Sequence, residues 1–158
     1  MVWIDENTIY AARDFGKGTM TLSGYPRQIK RVKRGEALDK APVVFEIAES
    51  DLGAWPMVVH DKGASVEIAQ RVISTRRAEQ SIWRDGKWVK LDAQDSAEVV
   101  NAAGTLYLRL RENWKTGSAE YKAGMLLAIS LDKFLGGSRD LEVVFTPSDR
   151  VFLASFSP

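Results

Sequence analysis

Asp85-Gly86 stands between Gln80-Ser81-Ile82-Trp83-Arg84 and Lys87-Trp88-Val89-Lys90-Leu91, and this dipeptide constrains the fold more than any other. A type I′ reversal needs positive φ at both central residues, which Asp and Gly tolerate, so two β-prone runs around Asp-Gly predict a hairpin. The turn sets the register, and the register sorts the side chains. Arg84 then faces Lys87, Trp83 faces Trp88, and Ile82 faces Val89. One surface carries Ile82, Val89 and Leu91, and the other carries Trp83 and Trp88. A ribbon that is apolar on both surfaces needs shelter on both, from its own chain, a neighbouring subunit or a ligand.

Short candidate strands recur elsewhere, bounded by Gly, Pro, Asp and Ser. Thr105 to Arg111 alternates strictly, with Leu106, Leu108 and Leu110 inward and Tyr107, Arg109 and Arg111 outward. Tyr121 to Leu131 reads as one longer strand, in which Gly124 suggests a bend or a close backbone approach. Further candidates are Met20 to Leu22, Val43 to Ala48, Met57 to His60, Ser65 to Ile73, Leu141 to Phe145 and Val151 to Phe156. Asp61-Lys62-Gly63 and Gly136-Gly137-Ser138 read as tight turns. Ala93 to Ala103 is the main helix candidate, with Asp92 as its cap and Gly104 as its stop; a strand at Glu98 to Asn101 competes. The apolar ends, Val2-Trp3-Ile4 and Val151 to Phe156, suit terminal strands paired into a sheet better than exchanged arms.

These signals predict a mainly β fold: an antiparallel two-sheet sandwich, jelly-roll or Ig-like, with at most one or two short helices. A closed barrel is the competitor. At 158 residues, with no linker or repeat, the expectation is a single β domain over 1–158. Lys and Arg total 22 against 21 Asp and Glu, so charge gives no general pull toward nucleic acid or anionic membrane. The apolar runs are too short to cross a membrane as a helix. The start lacks the pattern of an export signal, which points to cytosolic synthesis.

Candidate sites follow from residue type. Trp83, Trp88 and Trp114 are the leading interaction residues, joined by the outward-facing Tyr107 and Arg109; indoles supply large contact area at a partner surface. Each could equally pack its own domain. Trp114 falls in the loop Glu112 to Glu120, and Trp55, followed by Pro56, reads as a loop plug. Arg27, Lys30, Arg31, Lys33 and Arg34 form a candidate anion-binding cluster. On a strand, however, Lys30 and Arg34 share one face while Arg31, Lys33 and Arg27 share the other, so the charge is split.

Catalytic signals are thin. His60 is the single histidine and cysteine is absent, so no multi-histidine or thiolate metal site can be built. His60 reads as a turn or capping residue. Asp14-Phe15-Gly16-Lys17-Gly18-Thr19 has the composition of a phosphate loop, but Gly18 breaks the Walker spacing, and a hairpin turn fits better. No cofactor or metal is expected. The resulting expectation is not an enzyme but a structural or assembly subunit of virion-shell, tail or filament type, a homo-oligomer joined through sheet faces or arms. A carbohydrate-binding sandwich using the tryptophans is the alternative, and a hydrolase acting through two carboxylates a third.

Overall fold

The computed structural model describes residues 1–61 and 63–157. The chain forms two compact units, Met1–Lys90 and Leu91–Pro158. The mainly β, antiparallel expectation holds.

The first unit carries two four-stranded sheets, each wound in sequence order. One contains β1 (Val2–Asp5), β2 (Thr8–Ala11), β3 (Gln28–Lys33) and β4 (Val43–Glu46). The other contains β5 (Gly53–Asp61), β6 (Ala64–Ser74), β7 (Arg77–Arg84) and β8 (Lys87–Lys90). Apolar residues from both sheets meet in one core of Ile4, Tyr10, Ile29, Ile47, Ala54 and Ala69, flanked by Val2, Val44, Phe45, Val58 and Trp88. Ala11, Val32 and Ala41 form a smaller core on the other face of the first sheet, with Ile9, Phe15 and Leu38. Successive residues of β2 thus serve opposite faces, as the pleat requires.

The hairpin has the expected register: Ile82 pairs with Val89, Trp83 with Trp88 and Arg84 with Lys87. Asp85 and Gly86 take φ of 50° and 78°, the left-handed pair that a type I′ turn demands. Ile82 is fully buried on one face. On the other, Trp88 belongs to the core between the sheets.

The second unit carries a sheet ordered β14-β13-β10-β9, built from β9 (Glu98–Ala102), β10 (Thr105–Arg109), β13 (Leu126–Ser130) and β14 (Glu142–Phe145). A separate hairpin joins β11 (Trp114–Thr116) to β12 (Ala119–Tyr121), and one short helix, α1 (Leu131–Leu135), follows β13. Leu106, Leu108 and Leu110 are buried as the alternation required.

Several local expectations need correction. Ala93 to Ala103 is not a helix; β9 occupies its second half, and Ala103-Gly104 turns the chain into β10 with φ of 49° and 74°. The β-branched pair Val99-Val100 suits a strand, and Gly104 closes a hairpin instead of stopping a helix. Tyr121 to Leu131 is not one strand: Gly124, at φ 85°, lies between β12 and β13, and the close approach expected there is to Pro147, 3.0 Å from where a Cβ would stand. Met20 and Val151 make only isolated bridges, to Pro26 and Ser148. Trp55 lies within β5 and Trp114 within β11, not in loops, while the candidate strand Met57 to His60 falls inside β5. Of the turn at Asp61-Lys62-Gly63, Lys62 lies outside the described residues, while Asp61 pairs with Ala64. The N-terminal run is paired, as β1 against β2.

Gly53 opens β5 where no side chain fits. A Cβ there would stand 2.7 Å from Cζ3 of Trp55 and 2.9 Å from Cβ of Tyr25. Those two rings pack at 5.5 Å between centroids. Gly53→Ala is therefore expected to cost about 1–3 kcal/mol in overpacking, read as a lower urea midpoint.

Candidate functional site

The aromatic face of the hairpin is already occupied within the first unit. Trp88 contacts Trp83 edge-on at 5.1 Å, Phe45 at 5.7 Å and Tyr10 at 5.7 Å between ring centroids. Its indole Nε1–H donates to the Val44 carbonyl at 2.8 Å. Both rings thus help to pack the two sheets together, the structural alternative weighed for them from sequence.

A polar group is set into this apolar layer. The Tyr10 hydroxyl donates to Oε2 of Glu67 at 2.5 Å, and Arg31 Nη1 donates to the same oxygen at 2.8 Å. Arg31 also donates to the Tyr10 oxygen at 2.9 Å, and its guanidinium lies 5.6 Å from the Trp83 ring centre. Burial and the adjacent Glu67 push the Tyr10 phenol well above its ordinary pKa, so it stays protonated and serves as a donor. Because Glu67 sits on β6 and Tyr10 and Arg31 on neighbouring strands, the cluster links the two sheets. Tyr10→Phe keeps the ring but removes that donor, so a loss of about 1–2 kcal/mol is expected in chemical denaturation.

Most of the rest of the basic cluster is also engaged. Lys30 is buried, with Nζ 2.7 Å from the Asp39 carbonyl and 4.6 Å from the Phe15 ring centre. Arg27 pairs with Glu46 at 3.0 Å and donates to the Ile47 carbonyl. Lys33 and Arg34 are exposed, and Arg34 donates to the Glu6 carbonyl at 2.7 Å. The split of Lys30 from Arg31 is real. Four of the five, Arg27, Lys30, Arg31 and Arg34, bond within their own unit. In the loop Asp14 to Thr19, Asp14 Oδ1 accepts from the Gly16 amide and the Gly16 carbonyl from the Thr19 hydroxyl, so the turn is closed by its own groups.

In the second unit, Arg109 reaches Glu98 at 3.5 Å and the Ala154 carbonyl at 3.1 Å. Tyr107 packs against Phe156 at 6.4 Å. Trp114 is half-buried and pairs with Tyr121 across the small hairpin.

Two regions that sequence reading passed over are open and chemically mixed. One is a cleft of about 390 Å³ lined by Phe45, Glu46, Ile47, Ala48, Arg71, Glu79, Ser81 and Lys90. Arg71 makes a fork onto the Asp51 carboxylate, with both bonds at 2.9 Å, and contacts Glu79 at 3.4 Å. Glu79 also takes Lys90 at 2.6 Å. The Arg71 hydrogen bonds hold the Asp51 carboxyl below its ordinary pKa.

The other is a recess of about 430 Å³ lined by Trp3, Asp5, Glu6, Arg34 and His60. His60 Nε2 lies 3.2 Å from the Trp3 carbonyl; a carbonyl only accepts, so Nε2 carries the hydrogen. The Asn7 amide donates to Asp5 and lowers its carboxyl pKa. Arg34 stands 5.9 Å from the Trp3 ring centre. No signal in the sequence joined Trp3 to His60, because 57 residues separate them and only the approach of β1 to β5 brings them together. Among the described residues, no group of three or more His, Cys, Asp or Glu could hold a metal ion.

No protein-family model matches the chain. It is similar to the protein named "Uncharacterized peptidase RP174" of Rickettsia prowazekii, at 28% identity over 98% of this chain and 24% of that protein. It is also similar to "Uncharacterized peptidase y4nA" of Sinorhizobium fredii, at 43% identity over 61 residues, 39% of this chain and 8% of that one. A solved structure, a post-proline cleaving enzyme from Rickettsia typhi, has the same fold over 93% of this chain, with a TM-score of 0.83 and 23% identity. The chain spans 23% of that enzyme, so its likeness is to about a quarter of a larger protein. These relationships overturn the expectation of a non-enzymatic virion, tail or filament subunit: the relatives carry peptidase names, and the apolar hairpin face that suggested assembly is spent inside the first unit.

Proposed function

We propose that this chain is the β portion of a peptidase of the post-proline cleaving kind. The observation that carries the reading is the extent of the match. Almost the whole chain matches about a quarter of a post-proline cleaving enzyme in fold, and sequence similarity to a named peptidase runs over nearly the same length. Agreement over 93% of the chain is far more than one recurrent hairpin would give. Fold alone does not carry chemistry, and the site residues add their own support. Both open recesses mix hydrogen-bond donors, carboxylates and an aromatic ring, the inventory that an extended peptide with alternating amide groups calls for.

The test is a chimaera in which this chain replaces the matching segment of the Rickettsia typhi enzyme. Hydrolysis of a fluorogenic Gly-Pro amide, preferred over its Gly-Ala counterpart, is the expected result. A folded chimaera that cleaves neither substrate would count against the reading.

A further inference from the structure

We propose that Asp85-Gly86 is a site of spontaneous backbone isomerisation, at which the first unit acquires an isoaspartyl linkage with age. The residues that make the hairpin turn also supply both reacting groups. The nucleophile is the main-chain nitrogen of Gly86, and the electrophile is the side-chain carboxyl carbon of Asp85 beside it. No partner or binding surface takes part, only water.

Three observations single out this position. Cross-strand pairing ends at Arg84 and Lys87, and among the described residues the Gly86 N–H makes no hydrogen bond, so the ladder does not hold its nitrogen. The Asp85 carboxylate likewise enters no hydrogen bond or ion pair among the described residues. Asp5, Asp14, Asp51 and Asp92 differ, each accepting from an amide or a guanidinium. Lastly, a Cβ built on Gly86 would meet nothing within 4 Å, and glycine itself puts no side chain in the way of ring closure. Every other aspartate in the chain is followed by a residue that carries one.

The chemistry balances within the turn. The Gly86 nitrogen gives up its proton as it bonds to the Asp85 carboxyl carbon, a carboxyl oxygen leaves as water, and a succinimide remains. Water then adds back at either carbonyl of that ring. Opening at the former side-chain carbonyl restores aspartate. Opening at the main-chain carbonyl leaves the Gly86 nitrogen on the side-chain carbon, so the backbone now runs through Cβ. Nothing is oxidised or reduced, and the mass is unchanged.

The product places one extra main-chain carbon in a reversal of two residues. Loop length selects the turn and fixes the register, so the isoaspartyl form cannot keep Trp83 squarely opposite Trp88. That pairing seats the Trp88 ring against Tyr10 and Phe45 and its indole N–H on the Val44 carbonyl. Ageing at one turn is therefore felt in the core between two sheets.

The test holds the full chain for weeks near neutral pH at physiological temperature, beside Asp85→Gly. Two glycines suit the same reversal, and without the carboxyl no ring can close. In the parent, isoaspartate is expected at position 85 ahead of every other aspartate. It is read as progressive loss of cleavage before residue 85 by a protease that recognises aspartate and not isoaspartate. The urea midpoint of the aged parent is expected to fall, while aged Asp85→Gly keeps its fresh value. Asp85→Asn, which reaches the same ring by losing ammonia, is expected to convert several-fold faster. Isoaspartate absent from position 85 or spread evenly over the aspartates would overturn the proposal. So would its formation only in urea-unfolded chain, or an aged parent whose midpoint holds as well as that of Asp85→Gly.

Discussion

Trp88→Ala is expected to remove about 3 kcal/mol of stability, among the largest effects of any single change outside the fully buried leucines. The ring touches Tyr10, Phe45 and Trp83 and donates to the Val44 carbonyl, so truncation opens a cavity and leaves an acceptor unpaired. Trp83→Ala is expected to cost less, about 1–2 kcal/mol, because its chief partners are one ring face and the Arg31 guanidinium. Urea unfolding followed by far-ultraviolet circular dichroism separates the two. A Trp88→Ala variant that unfolds within 1 kcal/mol of the parent would mean the indole is not held between the sheets.

The second large effect concerns Asp51 and Arg71. Asp51 is buried at 4% exposure and receives both arms of the guanidinium. Arg71→Ala strands that carboxylate. The expected loss is about 2 kcal/mol, below the ~3–5 of a wholly buried pair, because water reaches the Arg71 side chain. The same pair sets an acid dependence. Since the folded-state pKa of Asp51 lies below its unfolded value, the carboxylate contributes stability above about pH 4 that is lost as pH falls through the lowered value. Asp51→Asn is therefore expected to be less stable at pH 7 and to show a shallower loss of stability between pH 4 and pH 2. An unchanged acid limb would exclude Asp51 as a contributor.

What could be read from sequence was whatever rests on neighbours in the chain. The Asp85-Gly86 reversal fixes its own register through two residues, and the leucines of β10 declare their face by strict alternation. The faces of Lys30 and Arg31 followed from the same period of two. Local signals misled where two structures share one punctuation mark. Gly104 fits a helix stop and a hairpin turn equally, and only pairing of β9 with β10 decides between them. Sites were harder still. The Tyr10–Glu67–Arg31 cluster joins residues up to 57 positions apart, and no local spacing announces it. Nor did the residues alone point toward peptidase chemistry, since that inference comes from relatives and a shared fold.

Lys30 carries a consequence for chemical labelling. Its ammonium is roofed by the Leu38 and Asp39 carbonyls and the Phe15 ring, while Lys33, three residues on, stands in solvent. An amine-reactive ester should modify Lys33 promptly and spare Lys30 for as long as the first unit stays folded. The ratio of the two tagged peptides in a mass spectrum then becomes a built-in gauge of that unit's opening.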